Sequence, residues 1–414
     1  DEVYARPASR YGPRMSGDGR TDMRAPTRLR ILHATPSFAP AYRYGGPVRS
    51  VEGLVGELAR LGVDVRVLTT DSHREERLDV GPGWQQWRGV PVRYLRRRAM
   101  PDLAPAYPWE AYREARRADV IHIMSFFSAP SMVSLIAGEV AGRAVVLSPR
   151  GMLEAAALAL ASSRKKRAWI AAFGPFLRRA AIFHATSAEE SESITRALGE
   201  GVRVRVVPNG TDLEPRERAD ARKLRASPRI VLGALGRIHP IKGLDRLIEA
   251  TALLRDRGLD VELQLAGPTQ DEDHRAALER LAAKLSLGAR VRFPGELHGE
   301  AKLDFLAGCR VLCLPSHSEN FGNVVVEALA SLTPVVAAHG TPWAELEARG
   351  AGRWAEGTPA ALADAIEPYL RDAAAATRAG EQGRALVESR YGWPSVALSM
   401  CEVYEEAARI MRGR

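Results

Sequence analysis

Short apolar runs of strand length alternate with stretches of helical apolar spacing, and this alternation occurs twice along the 414 residues. A strand buried on both faces of a sheet reads as a continuous apolar run, whereas a helix covering that sheet repeats its apolar residues every three to four positions. The first series opens at Leu29 and continues at 63–70, 90–95, 119–124, 144–149, 181–186 and 204–210. Its first helix spans 47–61, with Val48, Val51, Leu54, Val55 and Leu58 on one face. The second series places strands at 229–235, 261–267, 291–295, 311–315 and 334–338, separated by helical stretches at 243–257, 272–286, 300–308 and 323–332. Such alternation calls for a doubly wound parallel sheet, here twice, so two Rossmann-like α/β domains are expected. The length of 414 residues also exceeds what one compact core fills. Ligands in such sheets bind beyond the C-terminal strand ends, which places the expected site in a cleft that both domains face.

The composition sets the boundaries. Residues 1–27 are rich in Arg, Pro, Gly and Asp and carry almost no apolar pattern, as a disordered leader does. An N-terminal domain then covers 28–210. Residues 211–228 are polar with two prolines and read as a linker, followed by a C-terminal domain at 229–393. The amphipathic segment 394–414 is expected to be a helix crossing back toward the N-terminal domain.

Charge is unevenly spread. Residues 1–210 carry 32 Lys/Arg against 21 Asp/Glu, a net +11, and residues 211–414 carry 27 against 29, a net −2. A basic half attracts phosphorylated or anionic partners. No zinc-finger spacing or RNP-like aromatic cluster accompanies it, so nucleic acid is not an expected partner. Cys309, Cys313 and Cys401 form no CxxC pair, no apolar run has the length of a membrane span, and the start of the chain shows no apolar signal region. The expected compartment is the cytoplasm.

Two strand-to-helix junctions carry the chemistry. Ser316 to Glu327 follows a strand and opens a helix at Gly322, where free backbone N–H groups suit a phosphate. Glu319 and Glu327 lie eight apart there; they either contact different parts of one elongated ligand or are a capping acid and an ordinary helical Glu. The second junction runs from Leu235 through Gly236, Arg237 and Lys242 to Gly243. A guanidinium fork and an ammonium in one loop suit a diphosphate, the alternative being a solvated basic loop. No G-x-G-x-x-G follows a strand, which excludes a nicotinamide dehydrogenase.

Taken together, these junctions resemble glycosyltransferase family 4, whose members have the two-Rossmann GT-B architecture. The resemblance rests on Gly236-Arg237 with Lys242-Gly243, on Glu319 and Glu327, and on Ser318-Glu319-Asn320-Phe321-Gly322. Val207-Pro208-Asn209-Gly210, Phe293-Pro294-Gly295 and Tyr44-Gly45-Gly46-Pro47 support it. Ser148-Pro149-Arg150-Gly151, His184-Ala185-Thr186-Ser187 and Gly340-Thr341-Pro342-Trp343 look like a branch associated with bacterial surface polysaccharides.

The resemblance implies retention of anomeric configuration and a UDP- or GDP-sugar donor. It implies that Arg237 and Lys242 hold the donor diphosphate and that Glu319 contacts the transferred sugar. The backbone of Asn320, Phe321, Gly322, Asn323 and Val324 would bind sugar hydroxyls and phosphate, and Glu327 the ribose hydroxyls. The backbone from Gly295 to Leu297 would border the base, and Gly45 and Gly46 would let a loop approach the phosphate. The implied acceptor is a saccharide or a polyprenyl-linked saccharide.

With Arg237 and Lys242 meeting the diphosphate charge, no metal is expected. Asp271-Glu272-Asp273 has the form of a metal-binding DxD, but it precedes a helix and is read as capping.

Where relatives often have His-x-His, this chain has His122-Ile123-Met124. His122 is an acceptor-side candidate, with a core histidine as the alternative. Arg150 is either an acceptor or phosphate contact or a surface arginine. Arg164-Lys165-Lys166-Arg167, followed by Trp169, Phe173, Phe176, Arg178 and Arg179, suits either an anionic membrane surface on the inner face of the cytoplasmic membrane or a solvated basic helix. Two competing functions share the architecture: a sugar-nucleotide epimerase and a non-catalytic nucleotide-sugar-binding subunit.

Overall fold

The computed structural model describes residues 28–81, 83–98, 104–125, 127–154, 158, 163–225 and 230–413. The expected leader, 1–27, lies outside them. The chain divides into two units, Asp1–Gly210 with Trp393–Arg414, and Thr211–Gly392.

The first unit is built on eight strands: β1 (Arg30–Ala34), β2 (Asp64–Thr70), β5 (Trp84–Trp87), β6 (Val90–Leu95), β7 (Val120–Met124), β8 (Ala144–Ser148), β9 (Ile182–Ala185) and β10 (Val204–Val206). A small antiparallel hairpin of β3 (Ser72–His73) and β4 (Glu76–Arg77) stands beside this sheet. The sheet order is β10-β9-β8-β7-β1-β2-β6-β5, parallel except for the antiparallel edge strand β5. Order reverses between β1 and β7, so the switch point lies at their C-terminal ends.

The helices α1 (Gly46–Arg60), α2 (Tyr107–Ala115), α3 (Ala129–Val140), α4 (Ser163–Leu177) and α5 (Ala188–Leu198) connect the strands. α1 buries the five apolar residues its spacing singled out. The C-terminal helix Trp393–Arg412 buries Met400, Cys401, Tyr404 and Ala407 in the same core, which places it in this unit.

The second unit has six parallel strands: β11 (Val231–Leu235), β12 (Glu262–Ala266), β13 (Val291–Gly295), β14 (Val311–Leu314), β15 (Val335–Ala338) and β16 (Gly352–Ala355). Their order is β13-β12-β11-β14-β15-β16, with the reversal between β11 and β14. Its helices are α6 (Arg216–Arg225), α7 (Leu244–Asp256), α8 (Glu272–Lys284), α9 (Gly299–Gly308), α10 (Asn323–Ala330), α11 (Glu345–Ala348), α12 (Pro359–Arg371) and α13 (Ala373–Leu386).

The expected linker at 211–228 is corrected: its described part belongs to the second unit and contains α6. The charges that made it look solvated are paired. Arg222 meets Glu214 at 3.0 Å and also Glu300 and Asp304 of α9, and Lys223 Nζ donates to Cys309 O at 2.8 Å and Thr333 Oγ1 at 3.0 Å. Ion pairs to a neighbouring helix and hydrogen bonds to Cys309 and Thr333 join this segment to the unit, and Ala219 is buried.

Candidate active site

At the switch point of the second sheet, two loops meet. Gly236 and Arg237 follow β11; a single 3-10 turn, Pro240–Lys242, leads to Gly243 and α7. Gly243 adopts φ 60°, and a Cβ there would stand 2.3 Å from the carbonyl oxygen of Pro315. Glycine is required for this approach, which His317 N completes by donating to Ile241 O at 2.8 Å. The second loop, Ser316 to Gly322, follows β14 and ends at the N-terminus of α10, where Gly322 (φ 78°) offers no side-chain cap. The first-turn N–H groups of a helix without such a cap suit an anion.

Gly236, Arg237, Lys242, Ala266, Leu314 and Ser316 line one recess between these loops. Lys242 Nζ lies 2.5 Å from Glu319 Oε2, and Ser316 Oγ donates to the same oxygen at 3.2 Å. Arg237 is turned outward, donating to Gln270 Oε1 at 3.1 Å. Glu327, in the second turn of α10, is held by Lys302 of α9 at 2.7 Å. Gly295 ends β13 in the left-handed region and its carbonyl accepts from Gly267 N at 2.7 Å; Leu297 follows, half-buried. Arg237, Lys242, Glu319 and the start of α10 therefore share one rim of the sheet, with Glu327 one helical turn away.

The loop holding Glu319 has its own support. Glu319 N donates to Gly340 O at 3.0 Å, and Trp343 Nε1 donates to the carbonyl oxygen of Phe321. Trp343 is fully buried and packs with Phe321 and Tyr391. In the sequence Trp343 stands only within Gly340-Thr341-Pro342-Trp343 and Ser316 only as the start of its loop, and nothing points to Lys302 or Gln270. Nothing in the spacing marks a lysine on α9 as the partner of an acid on α10.

Asp271 caps α8, its Oδ1 accepting from His274 N at 3.0 Å, with Glu272 and Asp273 in the first turn. Among the described residues no group of three or more His, Cys, Asp or Glu side chains is arranged to hold a metal ion.

In the first unit, Gly45 (φ 77°) and Gly46 begin α1. The acceptor-side expectation for His122 is corrected. The ring is fully buried, its Nδ1 lies 2.8 Å from Tyr404 Oη and its Nε2 2.7 Å from Ser148 Oγ, so neither nitrogen is left for a substrate. Ser148 Oγ is also 2.7 Å from His184 Nδ1, and His184 Nε2 is 2.8 Å from Val207 O. A carbonyl only accepts, so the chain of donors is fixed when both histidines are neutral: Tyr404 to His122, His122 to Ser148, Ser148 to His184, His184 to Val207. Burial, then the neighbouring histidines and Arg150, holds His122 far below its usual range and His184 at about 3.

Arg150 follows β8 with φ 57° and is half-buried; it donates to Asn209 Oδ1 and lies 3.6 Å from Met124 Sδ. In α4, the side chains of Arg164, Lys165 and Arg167 lie outside the described residues. Trp169 stacks edge-on against Phe127 and contacts Phe173, which is 40% exposed. No helix among the described residues is long and apolar enough to cross a membrane.

Comparison with known proteins agrees with this geometry. Residues 215–386 match the family of glycosyl transferases group 1, and residues 45–210 match a glycosyl transferase 4-like domain. A D-inositol 3-phosphate glycosyltransferase of Actinosynnema mirum is 30% identical over 391 residues, covering 86% of this chain and 90% of that protein. One from Streptomyces avermitilis is 27% identical, covering 99% and 95%. Among solved structures, Anabaena HepE in complex with UDP superposes with a TM-score of 0.70 at 21% identity, covering 91% of this chain and all of that one. Sucrose-phosphate synthase from Thermosynechococcus elongatus gives 0.71 at 22% identity, covering 92% and 99%. With two parallel-sheet α/β units of GT-B type, the chain is an enzyme of glycosyl transfer and belongs to the group 1, family 4-like glycosyltransferases.

Proposed function

We propose that this enzyme takes a sugar from a nucleotide-diphosphate donor, with retention of anomeric configuration and without a metal, and passes it to a saccharide or lipid-linked saccharide in bacterial glycan synthesis. The observation that carries the reading is the convergence of Arg237, Lys242 and the N-terminus of α10 on one rim of the second sheet. As the glycosidic bond breaks, about two negative charges develop on the leaving diphosphate, and preorganised cations and N–H groups lower that barrier. In this reading Glu319, paired with Lys242, contacts the transferred sugar, and Glu327 the ribose hydroxyls. HepE was solved with UDP-glucose, which makes a UDP-sugar the first donor to test. The relatives named D-inositol 3-phosphate glycosyltransferase bring a phosphorylated cyclitol among the acceptors to test. The exposed Phe173 beside the basic stretch of α4 favours an anionic membrane surface as the place where a lipid-linked acceptor is met.

The test is a thermal-shift panel of nucleoside diphosphates and their sugars, with and without EDTA, because a ligand of the folded state raises the melting temperature by mass action. One nucleotide should give a shift that EDTA leaves unchanged and Arg237→Ala abolishes. A shift that requires metal would reject the metal-free reading, and no shift with any nucleotide would reject the donor reading. The anomeric configuration of the product, read by NMR coupling, checks retention. Co-sedimentation with anionic vesicles that survives changing Arg164, Lys165, Lys166 and Arg167 to Glu would reject the membrane contact.

A further inference from the structure

Arg150, half-buried, differs from the buried arginines. Arg222 and Arg384 each meet an acid, and Arg97 fills its fork with the carbonyls of Glu75 and Glu76. Arg150 has one oxygen acceptor, Asn209 Oδ1, and a thioether; its Nε is buried with no acceptor. Among the described residues no carboxylate comes within ion-pairing distance of it. The acid whose charge reaches it, Glu190, gives its oxygens to Gly151 N at 2.6 Å, Thr186 N at 2.7 Å and Thr186 Oγ1 at 2.7 Å.

Among the described residues the surroundings supply no other negative charge. His33, His122 and His184 are buried and neutral, and Arg150 is one of the charges that keeps them so. Burial pushes Arg150 itself down only to about 10, so it remains a cation at neutral pH. A partly desolvated charge without a counter-ion is costly, and its backbone adds the strain of a left-handed conformation at a residue with a side chain. Structures keep such features where a ligand completes them.

The location agrees. Met124 ends β7, Arg150 follows β8, Thr186 follows β9 and Asn209 follows β10, so these groups lie together on the C-terminal rim of the first sheet, beside its switch point. That rim is where an open α/β sheet takes ligands.

We infer that Arg150, oriented by Asn209, is an oxyanion subsite, and that the acceptor sugar carries a phosphate ester or a carboxylate which this guanidinium grips. The inference rests on the transfer reading above and adds the acceptor's chemical class. A guanidinium fork matches either oxyanion, and the two are separated by experiment.

Calorimetry on the full chain tests it, with saturating UDP present to occupy the second unit. Inorganic phosphate and glucose 6-phosphate should bind, or glucuronate where the group is a carboxylate, and glucose should bind at least about tenfold more weakly. Arg150→Met should abolish the difference between charged and neutral sugars while leaving UDP affinity and melting temperature near wild type. Arg150→Lys, which keeps the charge and loses the fork, should retain part of it and serves if the Met variant does not fold. Equal binding of glucose and both anionic sugars, or anion binding unchanged in both variants, would overturn the inference. Failure of UDP to bind the wild type would instead strike the donor reading, and is scored separately.

Discussion

Lys242 and Glu319 neutralise each other: the ammonium nitrogen sits 2.5 Å from the carboxylate oxygen, joining two loops 77 residues apart in sequence. In the proposed reading, the group that would hold the donor diphosphate is thus occupied by the group that would meet the sugar. A diphosphate entering the recess competes with the carboxylate for Lys242. Removing the acid therefore has opposite effects on binding and turnover. Glu319→Ala should bind UDP several-fold more tightly in calorimetry, while kcat falls. Lys242→Ala should weaken UDP and lower kcat/KM by about 100-fold to 1,000-fold, the scale of losing one preorganised charge partner of a transition state. Weaker UDP binding in Glu319→Ala would show that the pair does not gate the site.

A second ion pair, Lys302 with Glu327 at 2.7 Å, sets the direction of the carboxylate assigned to the ribose. Both side chains are only about one-fifth exposed, so the attraction is largely offset by the desolvation that burial costs each charge. Its effect should be on recognition. Lys302→Met should lower the preference for UDP over its 2′-deoxy analogue by several-fold, beyond any fall in melting temperature from leaving Glu327 unpaired. Glu327→Gln is the control: if it loses the preference and Lys302→Met does not, Lys302 has no positioning role.

Trp343 supports the donor loop from beneath, donating to Phe321 O and packing on Phe321 and Tyr391. Trp343→Phe keeps most of the ring contact and loses the hydrogen bond, which should cost about 1–2 kcal/mol in urea unfolding and raise the donor KM. Trp343→Ala should cost about 3–5 kcal/mol, as large-to-small changes in a packed core do. A donor KM unchanged in Trp343→Phe would uncouple this ring from the site.

The two sheets could be read from the sequence because strands buried on both faces, such as β7 and β14, leave continuous apolar runs. The edge strand β5, Trp84-Gln85-Gln86-Trp87, could not, since it is only half-buried and its partner on one side is solvent. α6 was hidden for a related reason: the partners that Arg222 and Lys223 meet lie on segments distant in sequence. In the site, Arg237, Lys242, Glu319 and Gly322 were legible because strand-to-helix junctions fix where backbone and charge must go. Lys302 was not, because its meaning comes from α9 lying against α10. His122 stood open between two readings because a polar residue in an apolar run signals either chemistry or an internal hydrogen-bond chain; the structure shows the core histidine.

That chain sets the protein's response to acid. Tyr404, His122, Ser148, His184 and Val207 are linked in one donor direction, and a proton on either histidine would break that direction and force its hydroxyl partner to turn its hydrogen away. His33 stacks 4.3 Å from His122, with neither of its own nitrogens bonded, and burial, then Arg150, lowers it to about 3. In the unfolded chain each histidine takes up a proton near pH 6.5, whereas in the fold His33 and His184 do so only near pH 3 and burial holds His122 far below its usual range. Their contribution is therefore fully present above about pH 6.5 and is lost as pH falls toward 3. Between pH 7 and pH 5 the loss should reach about 2 kcal/mol per histidine. Urea unfolding of the first unit across this range should show a steep fall in midpoint. His33→Leu should flatten it by about one histidine's share without lowering stability at pH 7, since it removes an imidazole that bonds to nothing. Tyr404→Phe should leave the slope nearly intact and lower stability by about 1–3 kcal/mol at every pH, because His122 Nδ1 then loses its donor. A midpoint that does not move between pH 7 and pH 5 would mean that these rings are not held neutral by the fold.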